Sequence, residues 1–254
     1  VDLVEDELDL AGVDGVFHLA GQPGVRSFGD VFPVYVRQNV LASQRLLEAA
    51  VAAGARVVLA SSSSIYGDAE SYPTPEETQP RPISPYGITK LAAEHLAHAY
   101  AREFGLEHVV LRYFTVYGPR QRPDMALAKI VACLAEGQAF ELYGDGTQSR
   151  SFTYVDDAVE GTICAMEAGR TGSTYNVGGG SEATLLESLQ RVVGVEGAAV
   201  RHRTETGWSI EAASGDRVPE SPEASSATIP LDHEHVLVLA SPVRIEDQRV
   251  LDAF

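Results

Sequence analysis

Tyr86 and Lys90 stand four residues apart in the segment 84-SPYGITK-90, so on a helix they share one face. Pro85 suits a first helical turn, and Ser84 suits its cap. A free tyrosine has a pKa of about 10 and is a poor base near neutrality. An ammonium group one turn away stabilises the phenolate and lowers that value, which is how a tyrosine becomes a general base. A Tyr-x-x-x-Lys pair is also a common ornament of helix faces. The segment upstream is what makes this one a candidate site: the apolar run 55-ARVVLA-60 leads directly into 61-SSSSIYG-67. A serine hydroxyl at the end of a buried strand can complete a relay to a substrate hydroxyl, and Ser62 is placed to do so.

The elements that must position these groups follow from the pattern around them. Strand patterns at 13–20, 55–62 and 108–118 alternate with helical patterns at 38–54 and 86–105, which end at Gly54 and Gly105. In the second helix Ile88, Leu91, Ala92, Leu96 and Ala99 fall on one arc at helical spacing. Strands apolar on both faces, alternating with helices, predict an α/β fold with a Rossmann-like, doubly wound parallel sheet. Ligands of such sheets bind at the carboxyl ends of the strands, where 18-HLAG-21, 61-SSSS-64 and 113-YFTVYG-118 fall. After Pro119 a smaller mixed α/β region is expected over 119–203, with a strand–helix segment near 150–180 returning to the first domain. It has a helix near 124–136, strands at 139–144 and 150–155, a helix at 156–168, and 178-GGG-180 as a tight turn. Residues 204–254 are expected to be poorly ordered, because 204–230 is rich in Ser, Glu, Pro and Ala with little periodicity. Within that tail 236–245 has strand character but no evident partner.

Composition narrows the chemistry. The 254 residues, 44% hydrophobic, are enough for a sizeable core. Thirty-six acidic against nineteen basic residues give a formal charge of −17, which argues against nucleic acid as a partner. A nucleotide-sized ligand, needing only a few local cations and backbone N–H groups, stays open. Cys133 and Cys164 lie in helix-like apolar patterns and read as buried reduced thiols, pointing to a cytoplasmic protein. No apolar run is long enough for a membrane span and no leader pattern stands out. His18 reads as an oriented strand-end histidine, and no His/Cys/Asp cluster has metal-ligand spacing, so no metal is expected.

Taken in order, 18-HLAG-21, 61-SSSSIYG-67, 84-SPYGITK-90, 112-RYFTVYGPRQRPDM-125, 150-RSFTYVDD-157 and 175-YNVGGG-180 resemble the extended short-chain dehydrogenase/reductase family. Within that family they are most similar to the NAD-dependent nucleotide-sugar epimerases. The resemblance covers roughly residues 1–200. It implies a catalytic Ser62, Tyr86 and Lys90 in an NAD-binding region over 1–118. Contacts to NAD are implied from Asp2, Leu3, Leu19, Ala20, Gly21, Gln38 or Asn39, Ala60, Tyr86, Lys90, Tyr113 and Phe114. It also implies a homodimer paired through the helices 38–54 and 86–105.

Family members that dehydrate or decarboxylate the sugar carry acidic residues just after the catalytic Ser/Thr. Ser63 and Ser64 stand there in this chain, which leaves oxidation and reduction at one carbon: 4-epimerisation of a UDP-hexose through a 4-keto sugar. The segment 112–125 resembles UDP-glucuronate 4-epimerases more than the UDP-glucose branch, which usually has Asn where Thr115 stands. Ser63, Ser64, Thr115 and Arg122 would then hold a sugar carboxylate, although Arg120 and Arg122 could equally flank a solvated loop. The resemblance places Arg150 on the UDP phosphates and Tyr143 beside the uracil. Another enzyme of the family acting on a nucleotide sugar, such as a 4-reductase, is the alternative, as is an inactive fragment. The second alternative arises because the family's Gly-rich pyrophosphate loop is expected about fifty residues before Val1, so the chain reads as N-terminally truncated. Ser151 stands where the family has Asp, which puts one local hydrogen bond in question, and the family's usual ending is not matched after Arg203.

Overall fold

Alternate residues of one strand face opposite ways, and in the strand Arg56–Ser62 both ways are buried. Val57 and Leu59 pack with Leu47, Ala50, Ala93, Ala97 and Val110 on one side, while Val58 packs with Val109, Leu111 and Ala165 on the other. A strand apolar on both faces needs helices on both faces, and this is what the chain builds. The computed structural model describes residues 1–24, 28–69, 71–136, 149–179, 182–184, 186–187, 195–205, 207–231 and 235–240. They belong to two units, Val1–Phe114 with Asp156–Gly178, and Thr115–Val155 with Gly179–Phe254.

In the first unit β1 (Gly15–His18), β2 (Arg56–Ser62), β3 (His108–Tyr113) and β6 (Thr174–Val177) form a sheet in the order β1-β2-β3-β6. Every pairing in it is parallel. Helices α2 (Ala42–Ala53) and α3 (Pro85–Phe104) supply Leu47, Ala50, Ala93 and Ala97 to one face. The second face takes Ala165 and Met166 of α5 (Val155–Ala168). The expected doubly wound α/β architecture is therefore present. Gly54 and Gly105 end α2 and α3 in the left-handed conformation, at φ 69° and 73°, where a glycine carries no Cβ penalty. The helix expected over 38–54 begins earlier, as α1 (Phe32–Tyr35) continued by a π-helical turn, Val36–Leu41. Pro33 starts it, a signal outweighed in sequence by the exposed apolar residues around it.

The second unit holds β4 (Thr115–Tyr117), parallel to β5 (Ser149–Tyr154), which pairs antiparallel with β7 (Glu182–Thr184). Helix α4 (Ala126–Glu136) belongs to it. A second sheet runs β10-β11-β8-β9 with all pairings antiparallel. Its strands are β8 (Gly197–Thr204), β9 (Gly207–Gly215), β10 (Ala227–Pro230) and β11 (His235–Ala240). The expectation of disorder from 204 onward is thus corrected over 207–215, 227–230 and 235–240. Leu237, Val238 and Leu239 are buried with Ala198, Ala199 and Val200, so pairing between distant segments supplies what local periodicity lacked. The strand expected at 139–144 lies outside the described residues. Among those described, no helix is long and apolar enough to cross a membrane.

Candidate active site

Ser84 accepts a hydrogen bond from Gly87 N at 3.1 Å and caps α3, with Pro85 following it. This places Tyr86 in the first turn and Lys90 one turn on. Lys90 Nζ is buried and donates to Ala60 O, the carbonyl two residues before Ser62, at 2.9 Å. The same ammonium lies 5.9 Å from the centroid of the Tyr86 ring. Burial pulls the Lys90 pKa down from 10.5 to about 8. Tyr86 is half-buried and meets Tyr35 edge-on, with ring centroids 6.4 Å apart.

Ser62 ends β2 and caps a single 3-10 turn, Ser63–Ile65: its Oγ accepts from Ser64 N at 3.2 Å and lies 3.1 Å from Ser64 Oγ. The serine run is therefore a strand end folded into a tight turn, not a linker. Gly87 fixes how α3 approaches it, because a Cβ there would stand 2.5 Å from Ser64 O. The glycine of 86-YGITK-90 is a packing requirement that sequence reasoning passed over.

A second layer holds these elements together. Glu94, one turn beyond Lys90, is buried and takes two bonds from Arg112 of β3, at 3.1 and 2.9 Å. Ser61 Oγ also donates to Glu94 Oε1. Arg112 donates onward to Tyr66 OH at 2.7 Å and Glu76 O at 2.9 Å. Tyr66 OH donates to Asn176 Oδ1 of β6 at 2.8 Å. Neither Glu94 nor Arg112 was singled out from sequence; the only available signal was a buried-strand arginine and a helix glutamate with no shared spacing.

At the end of β1, Gln22 N donates to Asn39 Oδ1 at 2.7 Å, and Asn39 Nδ2 donates to Gln22 O and Thr89 Oγ1 at 3.0 Å each. Of the two residues considered, Asn39 is the one engaged with this turn, while Gln38 is half-buried beside it. A Cβ at Gly21 would lie 2.9 Å from Asn39 Oδ1 and 3.2 Å from Lys90 Nζ, so only glycine lets the backbone sit so close. Leu19 and Ala20 are exposed at the same strand end. His18 Nε2 lies 2.8 Å from Ser43 Oγ, and burial, then the Lys90 charge, lower its pKa to about 4. It is an oriented, neutral strand-end residue.

The remaining expected residues divide between the units. Asp2 accepts from Val4 N at 2.8 Å and pairs with Arg37 at 3.1 Å, while Leu3 O accepts from Arg45 at 3.0 Å. Tyr113 OH is 2.6 Å from Thr162 Oγ1, and Phe114 N donates to Val177 O at 3.0 Å. Thr115, Arg122 and Arg150 belong to the second unit. There Arg122 is bound by Asp124 at 2.9 and 2.7 Å, and Arg150 donates to Ser149 O at 2.7 Å. Tyr143 lies outside the described residues. Ser151 Oγ accepts from Gly179 N at 3.2 Å, so the hydroxyl supplies a local bond at the position where the family has Asp. Cys164, expected to be buried, is exposed, and Cys133 is half-exposed. Cys164 points outward because α5 buries Ala158, Thr162 and Ala165 instead.

The sequence profile of the NAD dependent epimerase/dehydratase family matches residues 2–178. The uncharacterized UDP-glucose epimerase YtcB of Bacillus subtilis is 44% identical over 191 residues, covering 74% of this chain and 60% of its own. The UDP-glucuronate 4-epimerase of Thermodesulfobacterium geofontis is 39% identical over 188 residues, covering 72% and 58%. The crystal structure of UDP-glucuronic acid 4-epimerase from Bacillus cereus, in complex with UDP-glucuronic acid and NAD, superposes with a TM-score of 0.72 at 42% identity. That match covers 76% of this chain and 64% of the other, so the chain spans about three-fifths of the length of the relatives it matches. With the family profile spanning residues 2–178, and with its parallel sheet, strand-end serine and Tyr86–Lys90 helix in place, the chain belongs to the NAD-dependent epimerase/dehydratase family.

Proposed function

We propose that this chain serves NAD-dependent 4-epimerisation of a UDP-hexose, with UDP-glucuronate and UDP-galacturonate as the favoured pair and UDP-glucose and UDP-galactose next. The observation that carries this reading is the buried Lys90 ammonium, held by Ala60 O at 2.9 Å and facing the Tyr86 ring, at the end of the strand that also presents Ser62. Bound NAD would accept a hydride from the sugar C4 and return it. Tyr86 takes the proton of the 4-hydroxyl and gives it back, and Lys90 stabilises its phenolate. Ser62, oriented by Ser64 N, turns its O–H toward the C4 oxygen as that oxygen becomes a carbonyl. The 4-keto sugar would turn in the site and present its other face for the returning hydride.

The residues present fit the nicotinamide end of such a cofactor. Gly21 lets the strand-end backbone sit close against Asn39 and Lys90, and the exposed Leu19 and Ala20 offer an apolar lip beside it. Asn39, Ala60, Lys90, Tyr113 and Phe114 would hold it, with Asp2 and Leu3 toward the adenosine. Epimerisation is favoured over dehydration because Ser63 and Ser64 offer no ionisable group. Glu94, the carboxylate nearest in the network, is committed to Arg112 and Ser61. Two copies would pair through α2 and α3, in a cytoplasmic setting.

The test incubates the purified chain with NAD and UDP-glucuronate or UDP-glucose, and separates the epimers by chromatography. Interconversion without net NADH change is expected, to be abolished by Tyr86→Phe with UDP-sugar binding retained. Undiminished turnover in Tyr86→Phe would overturn the assignment. Stoichiometric NADH consumption would point to a 4-reductase, and no turnover with any UDP-hexose to a binding fragment.

A further inference from the structure

The antiparallel sheet of the second unit gathers three metal-ligating side chains that are far apart in sequence. Strands β9, β8 and β11 are successive neighbours and contribute Glu211, His202 and His235 respectively. His202 and His235 are directly opposed across the β8–β11 pairing, and their rings stack with centroids 4.7 Å apart and planes at 18°. Glu211 stands at a register shift between Val200 and Arg201. Ala212 is opposite Val200 and Ile210 is opposite Arg201, so Glu211 is the extra residue of a bulge. Ser209 is directly opposite His202, and Glu211, two residues on along β9, keeps to the same face by strand alternation; the bulge there adjusts its aim. One ligand atom from each of the three lies within 4.8 Å of the others.

We propose that His202, Glu211 and His235 form a divalent-cation site with zinc as its preferred biological ion. Two imidazole nitrogens and one carboxylate oxygen are a zinc ligand set that leaves a fourth position for water. Imidazole selects zinc, copper or nickel over magnesium and calcium, which take oxygen ligands. Zinc–nitrogen and zinc–oxygen bonds of about 2.0–2.1 Å put a tetrahedral N···O edge at about 3.3 Å. The separation of His235 Nε2 from Glu211 Oε1 is 3.3 Å, so one edge of the tetrahedron is already set. Bringing His202 onto the same ion requires its ring to turn out of the stack with His235. The histidines are half-buried and Glu211 is exposed, so an ion can reach the site from solvent. The formal charge of −17 raises the local cation concentration. An ion here would tie three strands together, β11 to β8 and to the bulge of β9. The sequence offered no sign of this, because ligand spacing along the chain has no meaning when strand register does the gathering. The proposal is independent of the reaction assigned to the first unit.

The test uses the full chain, purified without a histidine tag and stripped with a chelator, then titrated with Zn²⁺ by calorimetry and with Co²⁺ by visible absorption. One saturable site of micromolar affinity is expected, with the intense d–d bands of four-coordinate cobalt. Affinity should fall as the pH is lowered, because a protonated imidazole cannot ligate a metal. Zinc should raise the Tm of the native chain. The double change His202→Asn/His235→Asn should remove the site, and Glu211→Gln should weaken it by at least about tenfold. If the double variant fails to fold, the exposed Glu211→Gln decides alone. Absence of saturable binding, or binding that both variants retain in full, overturns the proposal; the latter would place the ion elsewhere, as at Cys133 or Cys164.

Discussion

Lys90 is a cation held almost out of water, and its burial has a thermodynamic signature that requires no substrate. Its pKa falls from 10.5 to about 8 on folding. Between those values the unfolded chain binds a proton that the folded chain has lost, so stability rises with pH across that window. Below about pH 8 both states are protonated, and the contribution is at its lowest. Relative to Lys90→Met, the native chain should therefore gain stability as pH rises from about 8 to 10.5, read as the difference between the two Tm values at each pH. A difference that does not change with pH would show that Lys90 is not held in the buried position described. His18 has the same sign in an acid window, losing stability as pH falls from 6.5 through about 4, and His18→Gln is its reference. At this scale the sequence was informative where spacing carried the chemistry. Tyr86 and Lys90 are one helical turn apart on any helix, and Ser62 ends a strand that its apolar neighbours declare. Gly87 and Asn39 were harder to weigh, since the value of each comes from a neighbour across a turn.

Helix α3 shows where pattern reading misleads at the scale of elements. Its apolar arc of Ile88, Leu91, Ala92, Leu96 and Ala99 marks it as a helix, yet its fully buried residues are others, Thr89, Lys90, Ala93, Glu94 and Ala97 among them. Ile88 is 49% exposed. Polar residues occupy the buried face because each has a partner there, and partnership is invisible to a hydrophobicity count. Two predictions follow from what α3 touches. Gly87→Ala gains about 1 kcal/mol of helix propensity. Its Cβ would also strike Ser64 O, 2.5 Å away, a backbone atom that cannot swing aside, at a cost of about 1–3 kcal/mol. A net loss of stability in urea unfolding is expected, with turnover falling further as the serine turn is pushed from Tyr86. A variant more stable than the native chain would refute the close contact. The Glu94–Arg112 pair, with side chains 3% and 8% exposed, links α3 to β3. Removing one partner strands a buried charge and should cost about 3–5 kcal/mol. The double change Glu94→Leu/Arg112→Met should cost less than the sum of the single changes, and strict additivity in the cycle would deny the coupling. The antiparallel sheet teaches the converse lesson. Strand β9 lies in a segment without periodicity and is ordered by β8, so its existence depends on pairing that no local window contains.

For the whole molecule, the exposed arc of α3 becomes an argument for association. Ile88, at 49% exposure, and Leu41, at 42%, are large apolar side chains, with Leu91 and Ala92 half-buried between turns of the same helix. Small residues such as Ala92 and Ala99 would let a second helix approach closely, and a stable interface requires about 800 Å² from each partner. Opposing this, each chain carries −17, so two chains repel at long range, and that repulsion is screened by salt over about 10 Å at 0.1 M. The balance predicts a dimer whose dissociation constant tightens as ionic strength rises, the reverse of an interface made from ion pairs. Light scattering coupled to size exclusion at low and moderate salt reads this directly. Ile88→Glu places a new charge at the N-terminal end of the arc while leaving the buried face of α3 untouched, so it should give a folded monomer at every salt concentration. Its far-ultraviolet circular dichroism and Tm would stay close to those of the native chain. A native chain that is monomeric at all salt concentrations, or a dimer indifferent to Ile88→Glu, would place any pairing surface away from α2 and α3.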